Sequence, residues 1–459
     1  GRIFEAKASG VMFRGFEYIL KGHFPEDALV YTPRICGICS ISHSVASSNA
    51  LAAISEDFTP SRSGQYAKNI SHATENSMSH ITQFYLYFAP DLLNKKYAGL
   101  EYYPALEKRL AGLKGESVKT IISERKRFLE ILGLICGKWP HTLAIQPGGI
   151  TKALTTSDIL RIKSVLKHFT AVMETVLLGM PVKDYLKIKS INDFDSAFME
   201  DSINRSDLAL FYFFAKEAGF LGMGKGPGKF IAACAYPLTE GQLFMPAGYR
   251  DNGVSPLDAG KITESIKYSF FDSENPVSAP ERDASEPKWG KPKAYSWGKA
   301  PRYNGEVVEV GALGRQLICG DNLITELFSK HGSTVFTRVF ARLHEAVKLL
   351  DIMDKWADEL SPDENYYAKN TLKQNAEGIG LTEAARGMLG HWISVENRKI
   401  KNYQVITPTG WNASPLDERE TPGALEKSLL GLPVEDESNP VEIEHVIRSY
   451  DPCLVCAVH

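Results

Sequence analysis

The sequence predicts a mainly α-helical protein with small β pieces, in which long helices form a central bundle. Four segments carry apolar residues at the spacing of one helix face, each over roughly 18 residues or more. Of the 459 residues, 44% are hydrophobic and 23% are charged, which is the composition of a globular protein. The sequence contains no internal repeat. These observations favour a single multi-layer unit over residues 1–459.

Three regions follow one another within this unit. Residues 1–60 are predicted to form a β and loop region, because Gly1–Gly10 mixes β-forming and polar residues. A short helix or a turn, ending at Gly22, is expected over Arg14–Leu20. Residues 61–360 form the predicted helical bundle, and residues 361–459 form a C-terminal region. Since the sequence starts without an initiator Met, we expect the natural chain to begin earlier.

Four long helices are predicted within the bundle region. A helix of about 25 residues reaches nearly 40 Å, so helices of this length can pack side by side through the molecule. They are predicted over Ser61–Phe88, Ser117–Leu134, Ser157–Leu178 and Ser333–Leu360. Short buried strands are expected over Phe230–Pro237 and Gln404–Thr409, and the polar segment Asp272–Tyr303 is expected to be a surface excursion.

Charge and hydropathy exclude several classes of protein. The chain has 52 Lys and Arg against 55 Asp and Glu, a net charge of −3, so no strong field attracts nucleic acid and no nucleic-acid partner is predicted. No apolar run reaches the roughly 18 residues that a membrane span needs. Because no signal peptide is recognisable either, the sequence predicts a cytoplasmic location.

Four of the seven cysteines form two CxxC pairs near opposite ends of the chain. The first motif is RICGICSISH, with Cys36, Cys39 and His43, and the second is DPCLVCAVH, with Cys453, Cys456 and the terminal His459. A tight turn between paired cysteines lets both thiolates reach one metal, and four thiolates suit a soft metal ion. The two pairs are therefore predicted to share one site.

Two other interpretations of the CxxC pairs remain open. A structural zinc ribbon usually separates its pairs by about 15–20 residues, whereas these pairs are far apart in the sequence. Redox-active CxxC pairs are expected beside a βαβ pattern, which neither segment shows. The isolated cysteines Cys136, Cys234 and Cys319 lie in apolar segments and are predicted to be packing residues.

The two cysteine motifs together resemble those of the large subunit of nickel–iron hydrogenases, and five further motifs follow that family's order. They are RGFE at Arg14–Glu17, PGG at Pro147–Gly149, KAPRYNG…EVGALGR across Lys299–Arg315, EAARGMLGHW at Glu383–Trp392 and YQVITPTGWNASP at Tyr403–Pro415. The resemblance implies the fold of that subunit and a nickel–iron centre whose iron carries carbonyl and cyanide ligands. It also implies an oxidoreductase that cleaves and forms H2 heterolytically.

The resemblance assigns the metal ligands by motif position. Cys36 and Cys453 would be terminal nickel thiolates, and Cys39 and Cys456 would bridge nickel to iron. Cys453 is also a catalytic candidate, because a terminal thiolate can accept the proton when H2 splits.

Further side chains are implied around these metals. Arg386 matches a catalytic arginine that lies over the metals and hydrogen-bonds a cyanide, since a guanidinium is a strong, fixed donor. Thr409, after Pro408, matches the hydroxyl that donates to the other cyanide, and Leu389 would pack against the carbonyl ligand of the iron. His43 would hydrogen-bond a bridging sulfur. For Arg386 the plain alternative is a surface salt bridge.

A second metal ion is implied near the C-terminus. His459 would bind Mg²⁺, or iron, with Glu17 as a carboxylate partner, whereas a solvated helix carboxylate is the alternative for Glu17. A backbone carbonyl near Asn402 is the expected third ligand, and Glu309 is expected to hold a bound water. A chain that ends at this histidine is expected to be mature or tail-less, so maturation proteins are implied partners. His141 is expected to be a structural histidine.

The sequence departs from the family pattern at several positions. The family's proton-relay glutamate lies further before the first CxxC than this sequence extends, so no relay residue is assigned. Ser79, a candidate cofactor-binding residue, stands where many uptake members have aspartate, and Ala385 stands where most have proline.

Two bulky residues are expected beside the path by which gas reaches nickel. Ile38 stands where valine is common, and Tyr87 or Phe88 falls where leucine is frequent. This combination is similar to the H2-sensing branch of the family, so restricted O2 access and oxygen tolerance are expected; ordinary variation in core packing is the alternative. The same site could then serve as an H2 sensor, with slow turnover and a histidine kinase as partner.

Electrons from H2 are expected to leave through a separate iron–sulfur small subunit, and possible further partners include an electron acceptor. The sequence supports this heterodimer because three scattered cysteines cannot hold an iron–sulfur cluster.

Overall fold

The computed structural model of the chain describes residues 1–56, 58–238 and 241–459. Within these ranges the α-helices are α1 (Phe16–Leu20), α2 (Ala28–Tyr31), α3 (Ser40–Ala53), α4 (Arg62–Thr82), α5 (Tyr103–Leu110), α6 (Glu116–Phe128), α7 (Glu130–Cys136), α8 (Thr156–Met173), α9 (Val182–Tyr185), α10 (Ile191–Ala197), α11 (Asp207–Glu217), α12 (Ala312–Ile318), α13 (Asn322–His331), α14 (Val335–Asp358), α15 (Pro408–Asn412), α16 (Ala424–Leu429), α17 (Val441–Tyr450) and α18 (Leu454–Ala457). Two π-helical turns, Gln83–Phe88 and Glu174–Leu178, extend α4 and α8. Short 3-10 turns lie at Pro25–Asp27, Thr32–Arg34, Ala89–Leu93, Lys95–Tyr97, Glu200–Asn204, Ala259–Lys261 and Pro280–Arg282.

The strands are short and pair in small antiparallel sheets. They are β1 (Ile145–Gln146), β2 (Gly149–Ile150), β3 (Phe230–Ala232), β4 (Ala235–Pro237), β5 (Leu243–Met245), β6 (Gly248–Arg250), β7 (Val254–Ser255), β8 (Ile262–Ser265), β9 (Phe271–Asp272), β10 (Val277–Ser278), β11 (Glu286–Pro287), β12 (Ala300–Tyr303), β13 (Ala376–Ala384), β14 (Gly387–Glu396) and β15 (Lys399–Ile406). In the three-stranded sheets, β6 lies between β3 and β7, β8 between β10 and β12, and β14 between β13 and β15. The predicted fold class, mainly α with small β pieces, is confirmed.

Helices α4 and α14 lie at the centre of the bundle and pack against each other. Helix α8 packs on α14, while α6 and α7 contact both α4 and α8. Ser61, Thr155 and Thr334 cap the first turns of α4, α8 and α14 with their hydroxyl groups. The central bundle is therefore confirmed, although the helix predicted over Ser117–Leu134 is divided at Leu129 into α6 and α7.

The N-terminal region differs from its prediction. Gly1–Gly10 forms no strand or hairpin; the backbone of residues 1–3 runs along residues 431–434, where Ile3 N donates to Leu432 O at 3.1 Å. The prediction of a β and loop region over residues 1–60 is also wrong, because this region contains the 14-residue helix α3. Since α3 is buried on nearly all sides, its sequence lacks the one-sided apolar pattern by which a surface helix is recognised.

Helix α3 packs directly on strand β13. A Cβ atom at Gly380 would lie 2.1 Å from Ala46 O, and one at Gly378 would lie 2.7 Å from Ala50 O. Glycine at both positions therefore lets the helix and the strand approach closely. This contact joins the first CxxC motif, which immediately precedes α3, to the sheet that carries Arg386 in its first turn.

The other predicted elements are confirmed in part. Phe230–Pro237 forms the two short strands β3 and β4, and Gln404–Thr409 spans the end of β15 and the start of α15. The excursion Asp272–Tyr303 is largely exposed at first, but its end is interior, because β12 is buried and pairs with β8. In the part of the chain that the structure describes, no helix combines the length and the apolar run that crossing a bilayer requires.

Candidate metal centre

The first CxxC motif is anchored at the start of a helix. Cys39 is the N-cap residue of α3, and the next backbone N–H groups point towards Glu75 on α4. The Glu75 carboxylate accepts hydrogen bonds from Ile41 N and Ser42 N, both at 2.8 Å, and from Trp139 Nε1 at 2.9 Å. A buried carboxylate thus satisfies the open N–H groups of α3 and holds the turn that carries Cys36 and Cys39.

The substitution Glu75→Gln is expected to lower the free energy of unfolding by about 1–3 kcal/mol, because the glutamine NH2 would face a backbone N–H group in place of an acceptor. Chemical denaturation measures the change. The matched control is Glu107→Gln on the exposed face of α5, which is expected to alter stability little. An equally small change at Glu75 would contradict its role as the cap of α3.

The second CxxC motif is held by two threonines at the start of α15. Thr409 Oγ1 accepts a hydrogen bond from Cys453 N at 3.1 Å, and Thr407 Oγ1 donates to Cys456 O. Asp451 ends α17 in the left-handed region at φ 54°, a conformation that Asp tolerates, and turns the chain towards Cys453. The predicted site residues Pro408 and Thr409 are therefore both buried beside the second motif.

The fold brings the sulfur atoms of both motifs together. Cys36 Sγ lies 3.5 Å from Cys453 Sγ, and Cys39 Sγ lies 3.4 Å from Cys456 Sγ. All four cysteines are buried and none forms a disulfide bond. Their mutual hydrogen bonds lower the pKa of Cys36 and Cys453 and raise the pKa of Cys39 and Cys456.

Four close, buried sulfurs cannot all be charged without a cation between them, because like charges at this distance repel strongly. Three of the sulfurs, from Cys36, Cys39 and Cys456, lie within 4.8 Å of one another and can share an ion. The donor set consists of sulfur, which favours a soft transition metal. The residues therefore fit a nickel–iron centre.

Arg386 lies beside the sulfurs and is held by the neighbouring Asp451. Its Nε donates to Asp451 O at 2.9 Å, Nη2 donates to Asp451 Oδ1 at 3.2 Å, and Nη1 donates to Ser79 Oγ at 3.4 Å. Burial lowers the pKa of Arg386, but Asp451 and the cysteine thiolates outweigh this effect and raise it overall. The guanidinium is thus a fixed cation next to Cys453, and the surface salt bridge considered as its alternative is excluded by its burial.

A second buried arginine supports the turn that carries Arg386. Arg315 on α12 donates to Ala384 O at 2.9 Å and to Ala385 O at 3.1 Å. It also forms ion pairs with Glu345 at 2.6 Å and with Glu383 at 2.5 Å, and all three side chains are buried. The position of Arg386 therefore depends on an ion-pair network in the core.

The other predicted residues surround the sulfurs at different distances. Ala384 and the partly buried Val455 pack on the four cysteines, while Leu389 is buried in an adjacent apolar cluster that includes Ile35. His43 Nε2 lies 4.0 Å from Cys456 Sγ, within reach of the sulfur as predicted. His141 Nδ1 lies 3.0 Å from a backbone carbonyl, which agrees with a structural role.

A second group of ligand-type atoms meets at the C-terminus. His459 Nε2 lies 3.4 Å from Glu17 Oε1 and 3.0 Å from Val405 O. The carbonyl that contacts His459 therefore belongs to Val405, three residues beyond Asn402 along β15. The nitrogen and two oxygens fit a hard cation better than a soft one.

Glu309, the carboxylate expected to hold a bound water near this group, does not line the site. It forms an ion pair with Arg338 at 2.9 Å. The cavity at the C-terminus is instead lined by Glu264, Lys299 and Gln404. Burial raises the pKa of Glu264 to about 8, and Gln404 Nε2 donates to this carboxyl at 3.3 Å. Glu264 and Lys299 are therefore two further buried titratable groups next to the His459 site.

A cavity of about 500 Å³ leads from the surface to Cys453. Ile38, Gln83 and Tyr87 line it, together with Arg386. Tyr87 is half-exposed, whereas Phe88, the alternative considered from the sequence, is buried among core aromatic rings. Of the two aromatic residues, the structure thus places Tyr87 beside the route to Cys453.

Fold and centre together define a helical metalloenzyme subunit with a buried four-cysteine site. The family model for nickel-dependent hydrogenases matches residues 14–119 and 118–459. The chain therefore belongs to the nickel-dependent hydrogenase family, of which it is a catalytic large subunit.

Individual relatives agree with this assignment. The chain is 29% identical over 500 residues to the periplasmic NiFeSe hydrogenase large subunit of Desulfomicrobium baculatum, covering 100% of this chain and 90% of that one. It is 28% identical over 536 residues to the hydrogenase-2 large chain of Escherichia coli (strain K12), covering 100% and 93%. The reduced Ni-Fe-Se hydrogenase from D. vulgaris Hildenborough has a similar structure, with a TM-score of 0.84, 28% identity and coverage of 100% and 95%. In this chain all four positions of the two motifs are cysteine.

Some residues of the site were missed by sequence reasoning. Asp451 and Thr407 lie within motifs that were recognised, so their neighbours could have indicated them. Glu264 lies in a segment without a recognised motif. Val405 contributes only a backbone carbonyl, for which side-chain patterns give no signal.

Proposed function

We propose that this large subunit cleaves and forms H2 heterolytically at a nickel–iron centre held by Cys36, Cys39, Cys453 and Cys456. The observation that carries the proposal is the meeting of two distant CxxC pairs in one buried cluster, with sulfur–sulfur distances of 3.4 and 3.5 Å. A structural zinc site would not require a buried arginine beside its ligands. The fixed Arg386 and the cavity that reaches Cys453 are features of a site with substrate access.

The chain's own residues would handle the proton. When bound, a nickel–iron centre with carbonyl and cyanide ligands supplies the two-electron redox chemistry, so that H2 gives two protons and two electrons. Cys453 lines the cavity, and its sulfur would accept a proton there. Arg386 remains charged and would donate hydrogen bonds to anionic ligands, as would the Thr409 hydroxyl.

Infrared spectroscopy together with metal analysis tests this proposal. The purified protein, loaded with metal and joined to its small subunit, is expected to contain nickel and iron and to show carbonyl and cyanide bands. It is also expected to reduce an artificial electron acceptor with H2. Zinc without nickel, or the absence of these bands in a metal-replete sample, would refute the assignment.

The site at the C-terminus is proposed to hold Mg²⁺, with iron as the alternative. His459 Nε2, Glu17 Oε1 and Val405 O would supply three ligand atoms, and Glu264, which lines the same cavity, would bind water molecules of the ion. Such an ion would tie the C-terminus to α1 and β15 and so stabilise the second CxxC motif.

The proposed partners follow from the need to remove the electrons that H2 releases at the centre. Electrons must leave the buried centre, and an iron–sulfur small subunit is the proposed acceptor, with a further electron-transfer protein beyond it. Metal insertion requires maturation proteins. The cytoplasmic location stays a prediction.

H2 sensing is the second candidate function, and Ile38 and Tyr87 favour it. Both side chains line the cavity that leads to Cys453, and bulk at these positions would slow the entry of O2 and of H2. A sensor would show slow turnover and would bind a histidine kinase. Rapid H2 oxidation by the purified heterodimer would exclude this role.

The double substitution Ile38→Val and Tyr87→Leu is expected to make the enzyme inactivate several-fold faster under O2, because a wider cavity admits gas more readily. The rate of activity loss in air-equilibrated buffer measures this effect. Ile122→Val on α6, a similarly exposed isoleucine, is the matched control. Unchanged tolerance in the double variant would show that these residues do not limit gas access.

A further inference from the structure

Three buried side chains form a hydrogen-bonded row that ends at Cys456. His43 Nε2 lies 4.0 Å from Cys456 Sγ, and His43 Nδ1 lies 3.1 Å from His391 Nε2. On its other side, His391 Nδ1 lies 2.8 Å from the hydroxyl of Tyr403. None of the three side chains is more than 1% exposed.

The sheet places His391 and Tyr403, the two members of the row that lie farther from Cys456. His391 pairs with Val405 and Ile393 pairs with Tyr403, so His391 and Tyr403 are diagonal neighbours on the same face of β14 and β15. His43 projects from α3, which packs against this sheet. The row therefore joins the sheet to the sulfur through a rigid contact between helix and sheet.

The protonation states of the row follow from the contacts between its members. The facing nitrogens His43 Nδ1 and His391 Nε2 lie 3.1 Å apart and share one proton, and a second proton on either ring would leave a cation in the buried interior. Each imidazole then has one donor and one acceptor nitrogen. Hydrogen bonds along the row must consequently all point in the same direction.

The Tyr403 hydroxyl sets the direction of the hydrogen bonds along the row. Among the described residues, the hydrogen-bond partner of the Tyr403 hydroxyl is His391 Nδ1. If the hydroxyl did not donate there, a buried O–H group would be left without an acceptor, at a cost of about 1–3 kcal/mol. His391 Nδ1 therefore accepts, His391 Nε2–H donates to His43 Nδ1, and the remaining proton of His43 lies on Nε2.

We propose that Tyr403 and His391 are positioning residues that hold His43 in the Nε2–H tautomer, so that its N–H group points at the sulfur of Cys456. A thiolate accepts such a bond, so the metal-binding form of Cys456 requires the same direction as the tyrosine. The effect on a bound nickel–iron centre rests on the proposed function; the tautomer itself does not.

Nitrogen-15 NMR of the full chain, labelled at histidine and free of metal, tests the tautomer directly. The nitrogen shifts distinguish Nε2–H from Nδ1–H, and the variants His43→Gln and His391→Gln assign the signals among the 11 histidines. Both residues are expected to be in the Nε2–H form. Observation of His43 as Nδ1–H would overturn the proposal, and the unmodified protein alone gives this answer.

The isosteric substitution Tyr403→Phe tests the role of the hydroxyl. Without its donor, His391 loses the group that orders the row, and a second population with Nδ1–H is expected for His43. Tyr185→Phe is the matched control, because Tyr185 is a buried tyrosine whose hydroxyl lies 2.9 Å from His344 Nδ1, in a separate pair. Unchanged His43 signals in Tyr403→Phe would refute the positioning role.

The loaded heterodimer provides a second measurement. Loss of N–H donation leaves more electron density on Cys456, so Tyr403→Phe is expected to shift the carbonyl band to lower wavenumber, whereas Tyr185→Phe is not. An unshifted band would show that the row does not influence the centre. If the parent protein shows no such bands while the tautomers are as expected, the proposed function fails and the positioning of His43 stands.

Discussion

Replacing Cys453 with serine is expected to abolish H2 turnover, lowering the rate by roughly a thousandfold or more. Cys453 Sγ lies 3.5 Å from Cys36 Sγ, and Cys453 lines the cavity together with the fixed Arg386. A serine hydroxyl is a harder and weaker ligand than a thiolate and stays protonated at neutral pH, so it neither holds nickel nor accepts a proton as a thiolate does. Turnover is measured as H2-dependent reduction of an artificial acceptor.

The substitution is also expected to lower the nickel content, which elemental analysis reports independently of activity. Cys319→Ser is the matched control, since Cys319 is a partly buried cysteine at the end of α12, outside the cluster of four. The control is expected to retain its metal and its activity. Full nickel occupancy and full activity in Cys453→Ser would exclude Cys453 as a ligand.

Replacing Arg315 with methionine is expected to lower the free energy of unfolding by about 3–5 kcal/mol, because the change leaves buried carboxylates without their partner. Arg315 pairs with Glu345 and Glu383, and His80 Nε2 lies 3.0 Å from Glu345 Oε1. Burial raises the pKa of Glu383 to about 7 even with Arg315 present, so this carboxyl is already costly to ionise. Chemical denaturation measures the loss of stability.

An exposed ion pair gives the control for this prediction. Arg161→Met removes the pair between Arg161 and Glu130 on the surface, which is expected to cost about 0–1 kcal/mol. Activity provides a second test, since Arg315 also holds the turn that carries Arg386 through Ala384 O and Ala385 O. Similar losses of stability in both variants would contradict the structural role of the buried network.

The long helices and the four cysteines could be predicted because their signals are local. Apolar periodicity over Ser333–Leu360 reports one buried face, and α14 begins and ends within two residues of that range. The CxxC spacing directly indicates that two sulfur atoms lie on one tight turn. The family resemblance depends on such short motifs, which survive at an overall identity of 29%.

Elements whose form depends on distant partners could not be predicted in this way. Gly1–Gly10 contains β-forming residues, but only residues 1–3 lie along residues 431–434, through an isolated bridge between Arg2 and Pro433 and not in a sheet. Helix α3 is buried on nearly all sides and carries little periodic signal. The hairpin β13–β14 was not foreseen, because its glycines are explained by the approach of α3 and not by strand propensity.

By itself, the sequence determined the fold class, the family and the four cysteines whose sulfur atoms meet in one cluster. Only the tertiary structure decided which atoms accompany them. Asp451 holds Arg386, Val405 rather than Asn402 presents its carbonyl to His459, and Tyr403 orders the row that reaches Cys456. The physical reason is that a ligand motif is a matter of local spacing, whereas a hydrogen bond or a carbonyl direction is settled where segments far apart in the chain pack together.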